Sequence, residues 1–173
     1  MERTSTLENI VDQVIQKINE AYCCYYRLIL IVGNIGTGKT SVLQQVSSLT
    51  NTSIINVNLE LSHCMLELTE KKRILQLPRL LNEIIDKTIS ISSIKTCTAY
   101  TGLVLLDNLE LLFDIHLKQD PLRLLQKLSR NKTIVATWNG AIIDNYLTYA
   151  VPEHNEYRQY QVKDFSVVSM DSC

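Results

Sequence analysis

Glycine is scarce in this 173-residue chain, which has five, along with three prolines, two phenylalanines and one tryptophan. So small a share of chain breakers excludes collagen-like and low-complexity classes, which need several times as much glycine and proline. An excess of charge of one sign is also lacking. Seventeen lysines and arginines face eighteen aspartates and glutamates, a formal net charge of −1, so any direct contact with DNA must rest on a local patch rather than a broad basic field. The five cysteines, Cys23, Cys24, Cys64, Cys97 and Cys173, are odd in number and contain no C-x-x-C pair, which argues against a disulfide framework and against a zinc site. His63, His116 and His154 share no ligand spacing. No apolar run reaches the roughly 18 to 20 residues of a membrane span, and "MERTSTLENIVDQ" carries acids where a signal peptide needs an apolar segment. A cytoplasmic protein with no membrane contact is expected.

What is present is a globular composition, 46% hydrophobic and 20% charged, of a length that fits one domain over 1–173. Residues 1–26 read as an N-terminal packing helix, with Leu7, Ile10, Val11, Val14, Ile15 and Ile18 on one helical face. Ser5 and Glu8 form its capping box. Residues 27–168 read as a core of alternating strands and helices. "RLILIVG" (27–33), "GLVLLDN" (102–108) and "KTIVATW" (132–138) are continuous apolar runs of the kind buried on both faces of a parallel sheet. "SIINVNL" (53–59) and "RQYQVKDFSVV" (158–168) supply two more strands. Helices are expected from Lys39, burying Val42, Leu43, Val46 and Leu49, over 62–90 with a break near Pro78, over 109–129 and over 141–148. The polar stretch 90–101 reads as a flexible loop. The fold class is therefore α/β, a three-layer α/β/α arrangement around a five-stranded parallel sheet.

Three of the five glycines fall within six residues, in "GNIGTGKTS". Gly33, Gly36, Gly38, Lys39 and Thr40 satisfy G-x-x-x-x-G-K-[ST] between a strand and a helix, the context of a phosphate-binding P-loop. From this composition the motif arises by chance roughly once in a thousand such chains. Backbone N–H groups from Gly33 through Asn34, Ile35, Gly36, Thr37 and Gly38 to Ser41 would surround a phosphate at the helix N-terminus. Lys39 would reach the β- and γ-phosphates of ATP, and the Thr40 hydroxyl would hold Mg2+. A second acidic oxygen for Mg2+ is offered by Asp107, which ends the apolar strand "LVLLD" in the Walker B manner.

Asp107 follows the glycine loop by some seventy residues, enough for an intervening strand and helix. That spacing resembles the additional-strand class of P-loop ATPases, which includes the AAA+ and RecA-like proteins. The resemblance implies sheet order 5-1-4-3-2 and a γ-phosphate sensor at the tip of the fourth strand, where Asn139 is preferred over Thr137. It also implies an arginine supplied in trans, with Arg158 the first candidate and Arg130 the second. This sequence departs from complete AAA+ modules in two respects: Asn108 stands where a glutamate usually follows the Walker B aspartate, and no helical lid follows the last strand. The general base stays open between Glu110, three residues past Asp107, and Glu60, at the end of "NVNLE", with no efficient base as the third reading.

The segments "GNIGTGKTSVL", "INVNLELS", "LLDNLELLFD", "LKQDPLRLLQKLSRNKTIVATWNG" and "LTYAVPEHNEYRQY" together resemble the BrxF family of small P-loop proteins of bacteriophage-exclusion (BREX) defence systems, over nearly the whole chain. The resemblance implies a bacterial ATPase-type subunit that works as a homo-oligomer, with other defence-system proteins, or both. A non-hydrolysing nucleotide-bound assembly factor is the alternative. A small-molecule kinase is disfavoured by seven arginines scattered with no phosphate clamp. For DNA contact the candidate patches are the run Lys71, Lys72 and Arg73 and the cluster Tyr22, Tyr25 and Tyr26.

Overall fold

The structure, a computed structural model, describes residues 2–95 and 100–170. In chain order the elements are α1 (Glu2–Ala21), β1 (Leu28–Gly33), α2 (Lys39–Thr50), β2 (Ile54–Asn56), α3 (Val57–Met65), α4 (Glu70–Lys95), β3 (Leu103–Asp107), two short 3-10 turns (Glu110–Phe113 and Ile115–Leu117), α5 (Pro121–Leu128), β4 (Thr133–Asn139), β5 (Ile142–Ile143), β6 (Tyr146–Tyr149), β7 (Arg158–Gln161) and β8 (Ser166–Ser169). Five strands form one parallel sheet in the order β2-β3-β4-β1-β8. The other three form an antiparallel sheet, β5-β6-β7.

The parallel sheet is covered on both faces, and the side-chain alternation of its strands shows how. Leu28, Leu30 and Val32 of β1 join the apolar cluster of α3, α4 and α5, while Ile29 and Ile31 join that of α1 and α2. β3 and β4 divide in the same way, Val104, Leu106, Ile134 and Ala136 against Leu103, Leu105 and Val135. Because both faces are buried, these strands carry no polar alternation.

Several expectations need correction. Numbered over all eight strands the sheet order differs from 5-1-4-3-2, because three further strands intervene and the strand beside β1 is the eighth; among the five parallel strands alone the order runs 5-1-4-3-2. The expected strand 158–168 is two: Arg158–Gln161 belongs to the antiparallel sheet and only Ser166–Ser169 pairs with β1. A hairpin replaces the helix expected over 141–148, with Asp144 and Asn145 both at positive φ in its two-residue turn. The strand expected to run to Leu59 stops at Asn56, whose side chain accepts from Leu59 N at 3.1 Å and caps α3. The break in 62–90 falls at 66–69 and not at Pro78, which lies inside α4. Proline removes the donor that Ile74 O would receive there. Gln119 Nε2 replaces it at 3.0 Å.

α4 continues through Lys95, so the first half of the expected loop 90–101 is helical; residues 96–99 lie outside the described residues. Residues 109–129 are two 3-10 turns and a short helix instead of one long helix, because the chain turns out of helical geometry at Asp114, with ψ 119°, and again at Lys118, with φ 50°. α1 begins at Glu2, before the cap expected at Ser5, and Leu49 of α2 is exposed. Cys23, Cys24 and Cys64 are free thiols; Cys97 and Cys173 lie outside the described residues. Among the described residues no helix is long and apolar enough to cross a membrane.

Candidate functional site

The C-terminal edge of the parallel sheet gathers most of the expected site residues. Register places Gly33 of β1 opposite Asn139 of β4, and Asn56 of β2 opposite Asp107 of β3. In a parallel sheet such neighbours end at one level, so the loops after β1, β3 and β4 share one rim.

The loop 33–38 leaves β1 and enters α2 through Gly38, whose φ of 92° is a left-handed conformation that favours glycine. Thr37 closes the turn, donating from N and Oγ1 to Asn34 O. Lys39, 7% exposed, folds back over the loop so that its ammonium donates to Gly33 O at 2.8 Å and to Asn34 O at 2.7 Å. A lysine held at its own loop is positioned as a fixed point charge against whatever the loop surrounds.

Asp107, also buried, is shared among three donors. Thr40 Oγ1 reaches its Oδ2 at 3.0 Å, Thr137 Oγ1 its Oδ1 at 2.6 Å and Asn108 N the same Oδ1 at 3.1 Å. The first of these bonds joins residues 67 positions apart and ties the loop helix to the end of β3. Thr40 and Asp107 thus place a hydroxyl and a carboxylate oxygen side by side, hard donors of the kind Mg2+ takes one or two of at a nucleotide site. Among the described residues no three His, Cys, Asp or Glu side chains gather into a metal cluster.

Glu110, in the first 3-10 turn, stands at the same rim. Its Oε2 accepts from Asn58 Nδ2 at 2.7 Å and its Oε1 from Asn139 Nδ2 in a short hydrogen bond. Asn58 is the residue that sequence reasoning missed. It sits in the first turn of α3, accepts from Leu111 N at 2.8 Å through Oδ1, and donates from its own backbone to Asn108 O at 3.0 Å. The one signal for it is the polar interruption in "NVNLE", which fits strand alternation equally well.

Glu60, Arg158 and Arg130 do not join this group. The early cap at Asn56 turns the chain into α3 before Glu60, which is exposed and lines a separate groove of about 540 Å3 with Cys64 and Lys87. Arg158 pairs with Tyr149 across β6 and β7, and its Nη1 donates to the neighbouring carbonyl of Tyr157 at 2.9 Å. Arg130 precedes β4, at the opposite end of the sheet.

A cavity of about 560 Å3 opens beside the loop, between its Asn34 and Ile35, the Glu110 and Asn139 pair, and a wall made by Tyr149 and His154. Among the described residues no lysine or arginine lines it. Burial, helped by the carboxylates of Glu156 and Glu110, pushes the Tyr149 hydroxyl up to about 12. The wall is attached by aromatic contacts: Tyr149 stacks on Phe113 with centroids 3.4 Å apart, and the Trp138 indole N–H donates to Thr148 O at 2.9 Å. Gly140 permits that approach, because a Cβ there would lie 1.9 Å from Thr148 O.

Comparison of the chain with protein-family models, with curated proteins and with solved structures gives no match.

Proposed function

We propose that this chain binds ATP with Mg2+ at the 33–41 loop and hydrolyses it. The observation that carries the reading is the buried Lys39 tethered to its own glycine loop while its neighbour Thr40 bonds Asp107 across the sheet rim. Separate parts of the sequence that one chemistry requires are thereby adjacent: backbone donors and an ammonium for phosphate oxygens, and a hydroxyl with a carboxylate for the cation. Mg2+, held through Thr40 and Asp107, would neutralise charge on the β- and γ-phosphates. Lys39 orients the γ-phosphate, Asn139 donates to it, and Glu110 accepts the proton of the attacking water. The parallel sheet with helices on both faces supports an additional-strand P-loop fold, and the motif resemblance supports a BrxF-like subunit of a bacterial phage-defence assembly. Within that assembly, ATP-promoted contact with a second copy or a partner would bring Arg158 to a neighbouring site.

The test is Lys39→Ala in a calorimetric ATP titration. Loss of the charged contact should weaken binding by about 2 to 4 kcal/mol with the melting temperature retained. Unchanged affinity defeats the reading. A second reading, a nucleotide-bound assembly factor with little turnover, is favoured by one observation: both carboxylate oxygens of Glu110 are engaged, by Asn58 and Asn139. Phosphate release measured with and without partner proteins separates the two.

A further inference from the structure

The end of the sheet away from the glycine loop carries a different chemistry. Between α1 and β1 the chain reads Tyr22-Cys23-Cys24-Tyr25-Tyr26-Arg27, and Tyr25 is 69% and Tyr22 40% exposed. Tyr25 and Tyr26 meet edge to face with centroids 4.8 Å apart. The Arg130 guanidinium, from the turn before β4, lies 5.4 Å from the Tyr25 ring centroid and 5.8 Å from that of Tyr26. Arg27 lies 5.9 Å from the centroid of Tyr22, and its Nε is buried without a hydrogen-bond partner. The two segments are joined at the backbone, Arg27 N donating to Ser129 O at 3.0 Å.

Among the described residues, no carboxylate makes an ion pair with Arg27 or Arg130. Rings hold these guanidiniums instead. A cation–π contact itself consumes no N–H donor, so beyond the hydrogen bond that Arg130 shares with Tyr26 the guanidiniums keep donors for an anion. Exposed tyrosine rings beside such donors match the repeating chemistry of an unpaired nucleic-acid strand, a flat base next to a phosphate. A duplex keeps its bases stacked and offers no face to Tyr25, and the patch is too small for the long basic stripe that duplex binding needs.

We propose that Tyr22, Tyr25, Tyr26, Arg27 and Arg130 form a contact site for single-stranded nucleic acid, in which bases stack on the tyrosines and phosphates bind the two arginines. This site is independent of the nucleotide reading of the glycine loop, since the six residues of β1 put it about 17 Å away at the opposite rim.

The experiment is fluorescence anisotropy of labelled twelve-residue single strands, oligo-dT and oligo-rU, against a duplex of the same length, with the full chain. Single strands should bind better than the duplex. Two phosphate contacts predict that log K falls with log salt at a slope of about −1.4, roughly sevenfold between 50 and 200 mM. Tyr25→Ala should weaken binding about tenfold and Tyr25→Phe should preserve it, because the ring and not the hydroxyl stacks. Arg130→Ala should lower the slope by about 0.7. These side chains are exposed, and unchanged melting temperatures will verify that the variants fold. Lys39→Ala serves as the control that separates this site from the loop, and it should bind strands as the wild type does. The proposal is overturned if single strands fail to bind at 50 mM salt, if Tyr25→Ala and Arg130→Ala bind unchanged, or if Lys39→Ala alone abolishes binding. It is also overturned if no strand binds and the wild type, unlike Tyr25→Ala, sediments as an oligomer, which makes the patch a self-contact.

Discussion

The two sheets of this molecule are held together in opposite ways. The parallel sheet is buried on both faces, and its rim is tied by side chains that cross between elements, Thr40 and Thr137 to Asp107 and Asn139 to Glu110. The antiparallel sheet has strands of two to four residues, leaves Ile142, Ile143 and Tyr146 exposed, and attaches through the aromatic contacts of Tyr149 and Tyr160 with Phe113 and Trp138 and through the buried Leu147. A candidate site lying between them has a rigid floor and a wall whose position depends on one joint. The residues proposed for chemistry lie on the floor, and the wall bounds the cavity beside them.

The joint is the place where that contrast breaks most easily. Trp138→Ala removes a fully buried indole and the hydrogen bond to Thr148 O. The expected cost is about 3 to 5 kcal/mol, or roughly 10 °C of melting temperature for a chain of this size. Hydrogen exchange should locate the loss in β5–β7 first. Uniform loss over both sheets would mean that they unfold as one unit.

Glu110 tests the floor. Glu110→Gln keeps the shape of the side chain and removes its basicity, so ATP binding should persist while hydrolysis falls by at least about a hundredfold. Glu60→Gln, in its separate groove, should leave turnover as it was. A reversed pattern would move the chemistry to α3.

Asn58→Ala sharpens the same point with a smaller effect. Asn58 occupies Glu110 Oε2, and freeing that oxygen should raise turnover severalfold without changing ATP affinity. A fall in turnover would instead show that Asn58 holds Glu110 in its working position.

The floor was legible in the sequence because its signals are local. Three uninterrupted apolar runs could only be strands buried on both faces, and the spacing from Gly33 to Thr40 needs no tertiary information. Asp107, Glu110 and Asn139 follow as residues at or just past strand ends. The wall was not legible, because "IIDNYLTY" mixes β-branched and aromatic residues with a turn that depends on two left-handed residues, Asp144 and Asn145, neither of them glycine. Leu147, inside the helix expected over 141–148, is instead a residue of β6 that alternates with Tyr149. Glu60 was misplaced for the same kind of reason: a side-chain cap at Asn56 outweighed the apparent period of two. Asn58 acts through contacts 52 and 53 positions away, which no local pattern encodes.

The smallest expected effect uses the joint as a titration. Tyr149, whose ring stacks on Phe113, has its hydroxyl pushed up to about 12, first by burial and then by Glu156 and Glu110. In the unfolded chain a tyrosine titrates near 10. Between these values the unfolded state has released a proton that the folded state retains, so folding stability must fall as pH rises. The contribution is fully present below about pH 10 and is lost as pH climbs through about 12, with a slope for one proton no steeper than about 1.4 kcal/mol per pH unit. Trp138, the chain's one tryptophan, sits 6.3 Å from Tyr149 between ring centroids and reports on the joint by its fluorescence. Denaturant midpoints followed through Trp138 at pH 9 and pH 11 should therefore differ more in the wild type than in Tyr149→Phe, which keeps the stacked ring and removes the ionisable hydroxyl. Equal shifts in the two proteins would mean that alkaline loosening arises elsewhere, and the wall would then owe its attachment to the Trp138 contact more than to the Tyr149 stack.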